Sequence, residues 1–288
     1  MDFKKAAEML ALCDSNNLKI SQVMKQRECH VFETGEDDIV ARMEHAWHIM
    51  KDSAKEPTTK AMKSTGGLIG GEAKKLTDFR MAGKSLIGDV VNKAIAYSMA
   101  VLEVNTSMGL IVASPTAGSA GVLPGVMLAL QEEYDIPDDR IIDGLFNSSA
   151  IGYLDMQTAT IAGSVGGCQA EIGVAAAMAA SAATELMGGT PLQCTFAAST
   201  VIMNLLGLIC DPVLGLVEYP CQNRNASGAA NALIAAEMSI AGITQMIPLD
   251  EMLDCMYNVG KRLPVEFRET AKGGCATTPT ACALCKSK

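Results

Sequence analysis

Hydrophobic residues recur along most of the chain at the three- and four-residue intervals of an α-helix. The repeat is clear in two segments, at Ile39, Met43, Ala46, Trp47 and Met50, and at Ile87, Val91, Ala94, Ile95, Ser98, Val101 and Leu102. Side chains at this spacing share one helix face. No segment shows the alternating, β-branched pattern of a strand. The pattern therefore predicts a mostly α-helical protein and argues against a parallel-sheet enzyme.

Two further segments carry specific helix signals. The run from Glu171 to Ala183 consists mainly of alanine and other small residues, which predicts a buried helix packed close to its neighbours. The segment that begins at Pro248 has acids in its first turn and ends at Lys261 and Arg262, an order of charges that complements the helix dipole. We expect a compact bundle of small-residue core helices with charged helices outside.

Charge is distributed unevenly. Residues 104–249 contain only two basic residues, Arg140 and Arg224, and neither residues 104–131 nor residues 186–210 contain any charge. Uncharged stretches of this length raise the possibility of membrane spans. Small polar residues and prolines interrupt both, and a lipid-facing span seldom tolerates such interruptions. We therefore expect a buried core and no membrane contact.

We expect residues 1–288 to form a single domain, because no repeat and no long linker divides the chain. Within it we expect a charged, helical amino-terminal region at residues 1–50 and an irregular, cysteine-containing tail at residues 270–288. The length is sufficient for a large core without a disulfide or metal staple. Aromatic residues are only 4% of the chain, so small aliphatic residues and methionine fill that core.

The formal net charge of −9 argues against a basic groove for nucleic acid. The amino terminus mixes both signs of charge and lacks the uninterrupted apolar stretch of a secretory signal. We therefore expect a cytoplasmic protein. Because cytosolic thiols stay reduced, its ten cysteines favour metal binding or catalysis over a disulfide framework.

Two glycine-rich segments combine hydroxyl groups with an open backbone. They are residues 64–71, the first glycine loop, and residues 114–121, the second glycine loop. Such a surface suits a small carboxylate or phosphate. Neither loop ends like a phosphate-binding Walker loop, and neither follows a strand as a dinucleotide-binding loop does. A plain glycine turn is the alternative for each.

Three cysteines, Cys168, Cys210 and Cys221, each lie beside glycine or proline, where backbone amides are exposed. Their wide separations do not match the close pairs of a zinc ribbon. Three such thiols suit a [4Fe–4S] cluster that leaves one iron open to a substrate oxygen. From spacing alone, inert free thiols are the commoner alternative.

Four motifs in series resemble one known family. The segments at residues 114–121, 167–171, 210–213 and 220–225 are similar to those of the iron–sulfur-dependent L-serine dehydratases, in their α subunit or catalytic domain. The likeness spans nearly the whole chain. It implies a largely helical domain whose [4Fe–4S] cluster is held by Cys168, Cys210 and Cys221.

The resemblance also implies the activity, which is conversion of L-serine to pyruvate and ammonia without pyridoxal phosphate. Hydroxide is a poor leaving group, so the open iron would bind the substrate hydroxyl while a base removes the Cα proton. Family members carry a second domain, fused or as a separate β subunit, that these residues lack. We therefore expect a β-subunit partner, which contributes part of the site.

Substrate contacts are expected from hydroxyls and amides of both loops, at Ser64, Thr65, Gly66, Ser114, Thr116 and Gly118. Arg224 is the candidate for steadying the substrate carboxylate or the negative charge of the cluster. A buried ion pair with Glu218 or Asp211 explains it equally well. For Glu171, a first-turn acid that complements the helix dipole is an adequate explanation.

Lys63 adjoins the first glycine loop and is the candidate general base, provided that it is desolvated. A surface lysine is the alternative. In the tail, our hypothesis is that one of Cys275, Cys282 or Cys285 caps the fourth iron in the resting state. Exposed tail thiols without a role are the alternative.

Three rival functions stay open at this point. A pyridoxal-phosphate dehydratase would perform the same chemistry, but neither a doubly wound sheet nor a Schiff-base lysine is evident. A non-enzymatic iron–sulfur binding protein would have no use for the paired glycine loops. A related iron–sulfur L-cysteine desulfidase would share both the cluster and the elimination.

Overall fold

The computed structural model describes residues 2–287. Thirteen α-helices lie in this range, and 71% of it is helical. In chain order they are α1 Ala6–Asn16, α2 Ile20–Phe32, α3 Glu36–Thr59, α4 Glu72–Met81, α5 Gly88–Thr106, α6 Val122–Tyr134, α7 Asp138–Thr158, α8 Gly163–Gly166, α9 Ile172–Leu186, α10 Pro191–Asn204, α11 Cys221–Ile240, α12 Leu249–Arg262 and α13 Pro279–Ser287. The described range contains no strand, so the prediction of a mostly α-helical fold is confirmed.

The alanine-rich helix α9 lies at the centre of the fold. Every residue from Ile172 to Glu185 is buried, and the helix packs against α6, α7, α10 and α11. Helix α5 forms a second centre, in contact with α3, α4, α6 and α11. The buried helix expected between Glu171 and Ala183 is thus confirmed, because its small side chains allow four neighbours to surround it.

Helices α5 and α6 approach each other unusually closely. A Cβ at Gly125 of α6 would collide with the Ser98 hydroxyl and lie 2.7 Å from the carbonyl oxygen of Ala94. Any side chain at this position would therefore push the two helices apart. Close approach of this kind explains why the uncharged core is built from small residues.

The amino-terminal region is fastened to the opposite end of the chain. The carboxylate of Asp250, in the first turn of α12, accepts hydrogen bonds from the backbone amides of Ala6 at 2.7 Å and Ala7 at 3.0 Å. These amides open α1 and have no acceptor within their own helix. Asp250 therefore does more than complement the dipole of its own helix, because it also caps α1.

The expectation of an irregular tail at residues 270–288 is wrong for Pro279–Ser287, which form α13, whereas residues 270–273 have no regular structure. Thr278 lies just before α13, and its hydroxyl accepts a hydrogen bond from the amide of Ala281. Pro279 occupies the first helical position, where its missing amide hydrogen costs nothing. A capping threonine followed by proline is the sequence signal that identifies this helix start.

Neither long uncharged stretch forms one continuous helix. Residues 104–131 include the end of α5, the second glycine loop and most of α6, and residues 186–210 contain α10 between two loops. No helix among residues 2–287 is long and apolar enough to cross a membrane.

One carboxyl group in α7 is fully buried. The side chain of Asp155 is fully buried, and neither of its oxygens has a hydrogen-bond partner among the described residues. Burial raises its pKa from 3.8 to about 8, because desolvation disfavours the charged form. The folded protein therefore holds a proton on Asp155 at a pH at which the unfolded chain has lost it.

We predict that this proton makes stability fall as the pH rises. Between pH 3.8 and about 8 the folded state binds one proton more than the unfolded state at Asp155. The free energy of unfolding should therefore decrease by about 1.4 kcal/mol per pH unit across this window relative to Asp155→Asn. Urea unfolding from pH 5 to pH 8 measures the difference. The exposed Asp254→Asn variant is the control, and parallel profiles for wild type and Asp155→Asn would contradict the prediction.

Candidate functional site

Three cysteines from separate segments come together beside the amino-terminal ends of α9 and α11. Cys168 opens a short 3₁₀ turn just before α9, and Cys221 is the first residue of α11. Cys210 follows α10, and its backbone pairs with residues 267–269. All three thiols are free and lie close enough to influence one another electrostatically. The fold thus gathers the three cysteines that the resemblance named.

Burial strongly disfavours the thiolate form of these cysteines. It raises the pKa of Cys168 and of Cys221 to about 12, and the neighbouring Cys168 charge adds to the effect at Cys221. Burial also raises the pKa of Cys210, with the charges of Cys168 and Glu171 adding to it. Thiols in such surroundings become stable thiolates only beside a compensating positive charge, which a bound metal group supplies.

The three thiols are the kind of donor that an iron–sulfur cluster requires. No group of three or more His, Cys, Asp or Glu side chains among residues 2–287 is placed to hold a metal ion. A [4Fe–4S] cube makes a different demand, because each thiolate binds a different iron and the sulfurs stay farther apart. Cys168 and Cys210 are buried and Cys221 is half-buried, and the three lie on separate segments, as ligands of three different irons can.

Arg224 lies one helical turn after Cys221 and contacts the segments that carry Cys168 and Cys210. Its guanidinium forms an ion pair with Asp211 at 2.8 Å and donates a hydrogen bond to the carbonyl oxygen of Ile209 at 2.8 Å. It also contacts the thiol of Cys168, where its charge opposes the rise in pKa that burial causes. Glu218 and Asp211 were the two acidic partners considered for Arg224, and the structure forms the ion pair with Asp211.

Glu171 connects the second glycine loop to the cysteines. It lies directly before α9, and its Oε1 accepts a 2.7 Å hydrogen bond from the hydroxyl of Thr116. Its Oε2 lies 3.8 Å from the sulfur of Cys210. Burial, and then the charge of Glu269, raise its pKa. The helix dipole alone does not account for these contacts, which sequence reasoning missed.

The second glycine loop presents hydrogen-bond donors that have no partner among residues 2–287. The hydroxyl of Ser114 is buried and has no hydrogen-bond partner in the described part of the chain. The amides of Ala117 and Gly118 likewise have no acceptor among residues 2–287. A buried hydroxyl and two open amides are the donors that a small anionic group requires. Thr116, by contrast, is already bonded to Glu171.

Asn225 fastens the second glycine loop to the start of α11. Its Oδ1 accepts from the amide of Gly121 at 3.0 Å, and its Nδ2 donates to the carbonyl oxygens of Gly118 at 2.8 Å and Cys221 at 2.9 Å. One fully buried side chain therefore sets the loop relative to a cysteine. The motif at residues 220–225 contained this asparagine, but spacing alone did not reveal its partner.

The first glycine loop is already saturated with hydrogen bonds. Every amide from Ser64 to Gly70 has an acceptor, and the Glu218 carboxylate takes those of Gly66 at 2.7 Å and Leu68 at 2.8 Å. The buried Ser64 hydroxyl also donates to Glu218, at 2.8 Å. The proposed contacts of Ser64 and Gly66 with substrate stay predictions, since these groups bind Glu218 in this structure.

Two of the predicted site residues in this region remain exposed. Lys63 and Thr65 both lie at the surface, and the backbone of Lys63 is held by the hydroxyl of Ser107. Lys63 is therefore not buried by its own chain, and the desolvation that a lysine base requires is not present here.

The tail lies over the segment between Cys210 and Cys221. The amide of Cys275 donates a 2.6 Å hydrogen bond to Asp211, the partner of Arg224. Cys275 also lines a cavity of about 360 Å³ together with Leu68 of the first glycine loop. Cys282 and Cys285 are exposed at a neighbouring cavity of about 620 Å³. The capping role of these three thiols stays a hypothesis.

The chain is similar to known serine dehydratase alpha chains along most of its length. Residues 15–276 match the family described as serine dehydratase alpha chain. The chain is 44% identical over 278 residues to the probable L-serine dehydratase, alpha chain, of Bacillus subtilis (strain 168), covering 96% of this chain and 92% of that one. It is 41% identical over 275 residues to the L-serine dehydratase, alpha chain, of Peptoniphilus asaccharolyticus, covering 96% and 94%.

A third relative is longer. The chain is 36% identical over 286 residues to L-serine dehydratase TdcG of Escherichia coli (strain K12), but the match covers 96% of this chain and only 62% of that protein. The matched family spans most of the sequence. The chain therefore belongs to the serine dehydratase alpha chain family.

We predict that removing the side chain of Asn225 destabilises the site. Asn225→Ala loses three hydrogen bonds and leaves the amide of Gly121 buried without an acceptor. The free energy of unfolding should fall by about 2–4 kcal/mol, measured by urea denaturation. The matched control is Asn223→Ala, an exposed position on the same helix. Equal losses in the two variants would contradict the prediction.

Proposed function

We propose that this chain is the catalytic α subunit of an L-serine dehydratase that uses a [4Fe–4S] cluster. With a β subunit, it eliminates water from L-serine, and the product hydrolyses to pyruvate and ammonia. One observation carries the proposal, namely that Cys168, Cys210 and Cys221 converge where both glycine loops are fastened. The printed names of the relatives support the substrate and, through the words alpha chain, the partner.

Cys168, Cys210 and Cys221 would hold the cluster. When bound, it supplies an iron without a cysteine ligand, which acts as a Lewis acid toward the substrate hydroxyl. Arg224 contacts Cys168 and offsets the negative charge of the thiolates. Its ion pair with Asp211 holds the guanidinium in this position.

The second glycine loop binds the substrate carboxylate. The open amides of Ala117 and Gly118 and the unpartnered hydroxyl of Ser114 are its donors. Thr116 contributes by holding Glu171 beside Cys210, which sets the loop relative to the cysteines. In the first glycine loop, the hydroxyl of Thr65 is exposed and is available to bind substrate.

Removal of the Cα proton requires a base within hydrogen-bond reach. Lys63 is the candidate on this chain, and it would become desolvated when the β subunit covers it. Alternatively, the β subunit supplies a different base. A cytoplasmic location belongs to the same proposal, because the reducing cytosol protects an open iron from oxidation.

We predict that each cluster ligand is indispensable. Cys168→Ser, Cys210→Ser and Cys221→Ser, coexpressed with the β subunit and purified without oxygen, should lose most of their iron and acid-labile sulfide. Serine-dependent pyruvate formation should fall at least about 100-fold, because the Lewis acid is lost.

Cys255→Ser is the control, since Cys255 lies on α12 outside the three segments. Wild-type protein free of iron and sulfide, or full turnover in all three variants, would overturn the proposal. Comparing L-serine with L-cysteine in the same assay separates the dehydratase from a desulfidase.

A further inference from the structure

The chain places one of its own carboxylates in the first glycine loop. Glu218 is 3% exposed, and its carboxylate accepts hydrogen bonds from two backbone amides and one hydroxyl of the loop, at 2.7–2.8 Å. Nearby backbone amides and a hydroxyl that point at one carboxylate form an arrangement by which proteins bind small anions. The loop thus has the chemistry expected of a carboxylate-binding site, and the carboxylate that it binds is that of Glu218 from the same chain.

The fit between the loop and Glu218 is tight. A Cβ at Gly66 would collide with Oε1 of Glu218 and lie 2.8 Å from its carboxyl carbon. Glycine is therefore needed at this position so that the backbone can reach the carboxylate. Hydrogen bonds to an ionised acceptor are stronger than neutral ones, so three of them give a firm anchor.

Glu218 also connects the first glycine loop to the cysteine site. Glu218 lies three residues before Cys221, and its carbonyl oxygen accepts the amide of Gln222 in the first turn of α11 at 2.9 Å. The side chain of Gln222 in turn contacts Glu103 at 3.3 Å, and Glu103 accepts the amide of Ala73 where the loop continues into α4. The loop is therefore tied to the start of α11 both at its tip and at its exit.

We propose that Glu218 is a positioning residue, whose carboxylate holds the first glycine loop so that Thr65 and Lys63 face the substrate beside the cysteine segments. Its corollary is that the substrate carboxylate does not bind in the first glycine loop, whose anion site is filled. The kinetic part of this proposal rests on the proposed function. The structural part concerns the loop amides alone.

The first test measures the loop directly. In the complex of this chain with the β subunit, Glu218→Ala should accelerate hydrogen exchange at the amides of Gly66 and Leu68 at least about 10-fold, because both lose their acceptor. The substitution removes a CH₂–COO⁻ group, so acetate at millimolar concentration should refill the space and restore protection. The control is Glu266→Ala, an exposed position outside the loop, which should leave exchange unchanged.

The second test measures catalysis. Glu218→Ala should raise the KM for L-serine at least about 10-fold, with a smaller effect on kcat, and acetate should lower the KM again. A residue that only stabilised the fold would reduce the melting temperature without acetate rescue. Unchanged exchange in Glu218→Ala, or accelerated exchange with an unchanged KM, would overturn the proposal. Failure of the wild-type complex to form pyruvate would instead refute the proposed function, because the exchange result does not depend on turnover.

Discussion

Small side chains set the distance between the two helices that carry the cysteine site. A Cβ at Gly228 of α11 would lie 2.9 Å from Ile172 and 3.7 Å from the methyl group of Ala176, both on α9. The two helices therefore touch along glycine and alanine surfaces, and their amino-terminal ends lie together. Because Cys168 precedes α9 and Cys221 begins α11, this contact decides where the thiols meet.

Buried and half-buried carboxylates then attach the loops to that helix pair. Glu218 holds the first glycine loop, Glu171 holds Thr116 of the second, and Asp211 joins Arg224 to the tail at Cys275. In a segment so poor in basic residues, these acids find backbone amides and hydroxyls as their main partners. Such contacts satisfy loop donors that would otherwise be buried without acceptors. They also give the site its shape before any ligand binds.

Much of the fold followed from local patterns. Helical periodicity identified the class, and the alanine run identified α9 as a buried helix, because a helix of small residues can be packed on all sides. The tail was missed, although Thr278 and Pro279 are an ordinary helix start, because its glycines and threonines suggested irregular structure. For the site, the motifs identified the cysteines and the loops, and Asp211 as a possible partner of Arg224, but not the loops that Glu171 and Glu218 hold.

The sequence by itself determined the helices, the small-residue core, the family and the side chains able to do chemistry, because these depend on residue types at short spacing. Only the tertiary structure decided which carboxylate forms hydrogen bonds with which loop. Glu218 and the first glycine loop are about 150 residues apart, and Thr116 and Glu171 are 55 apart. No local pattern encodes such a pairing, because it exists only after helix packing has brought the segments within hydrogen-bond distance.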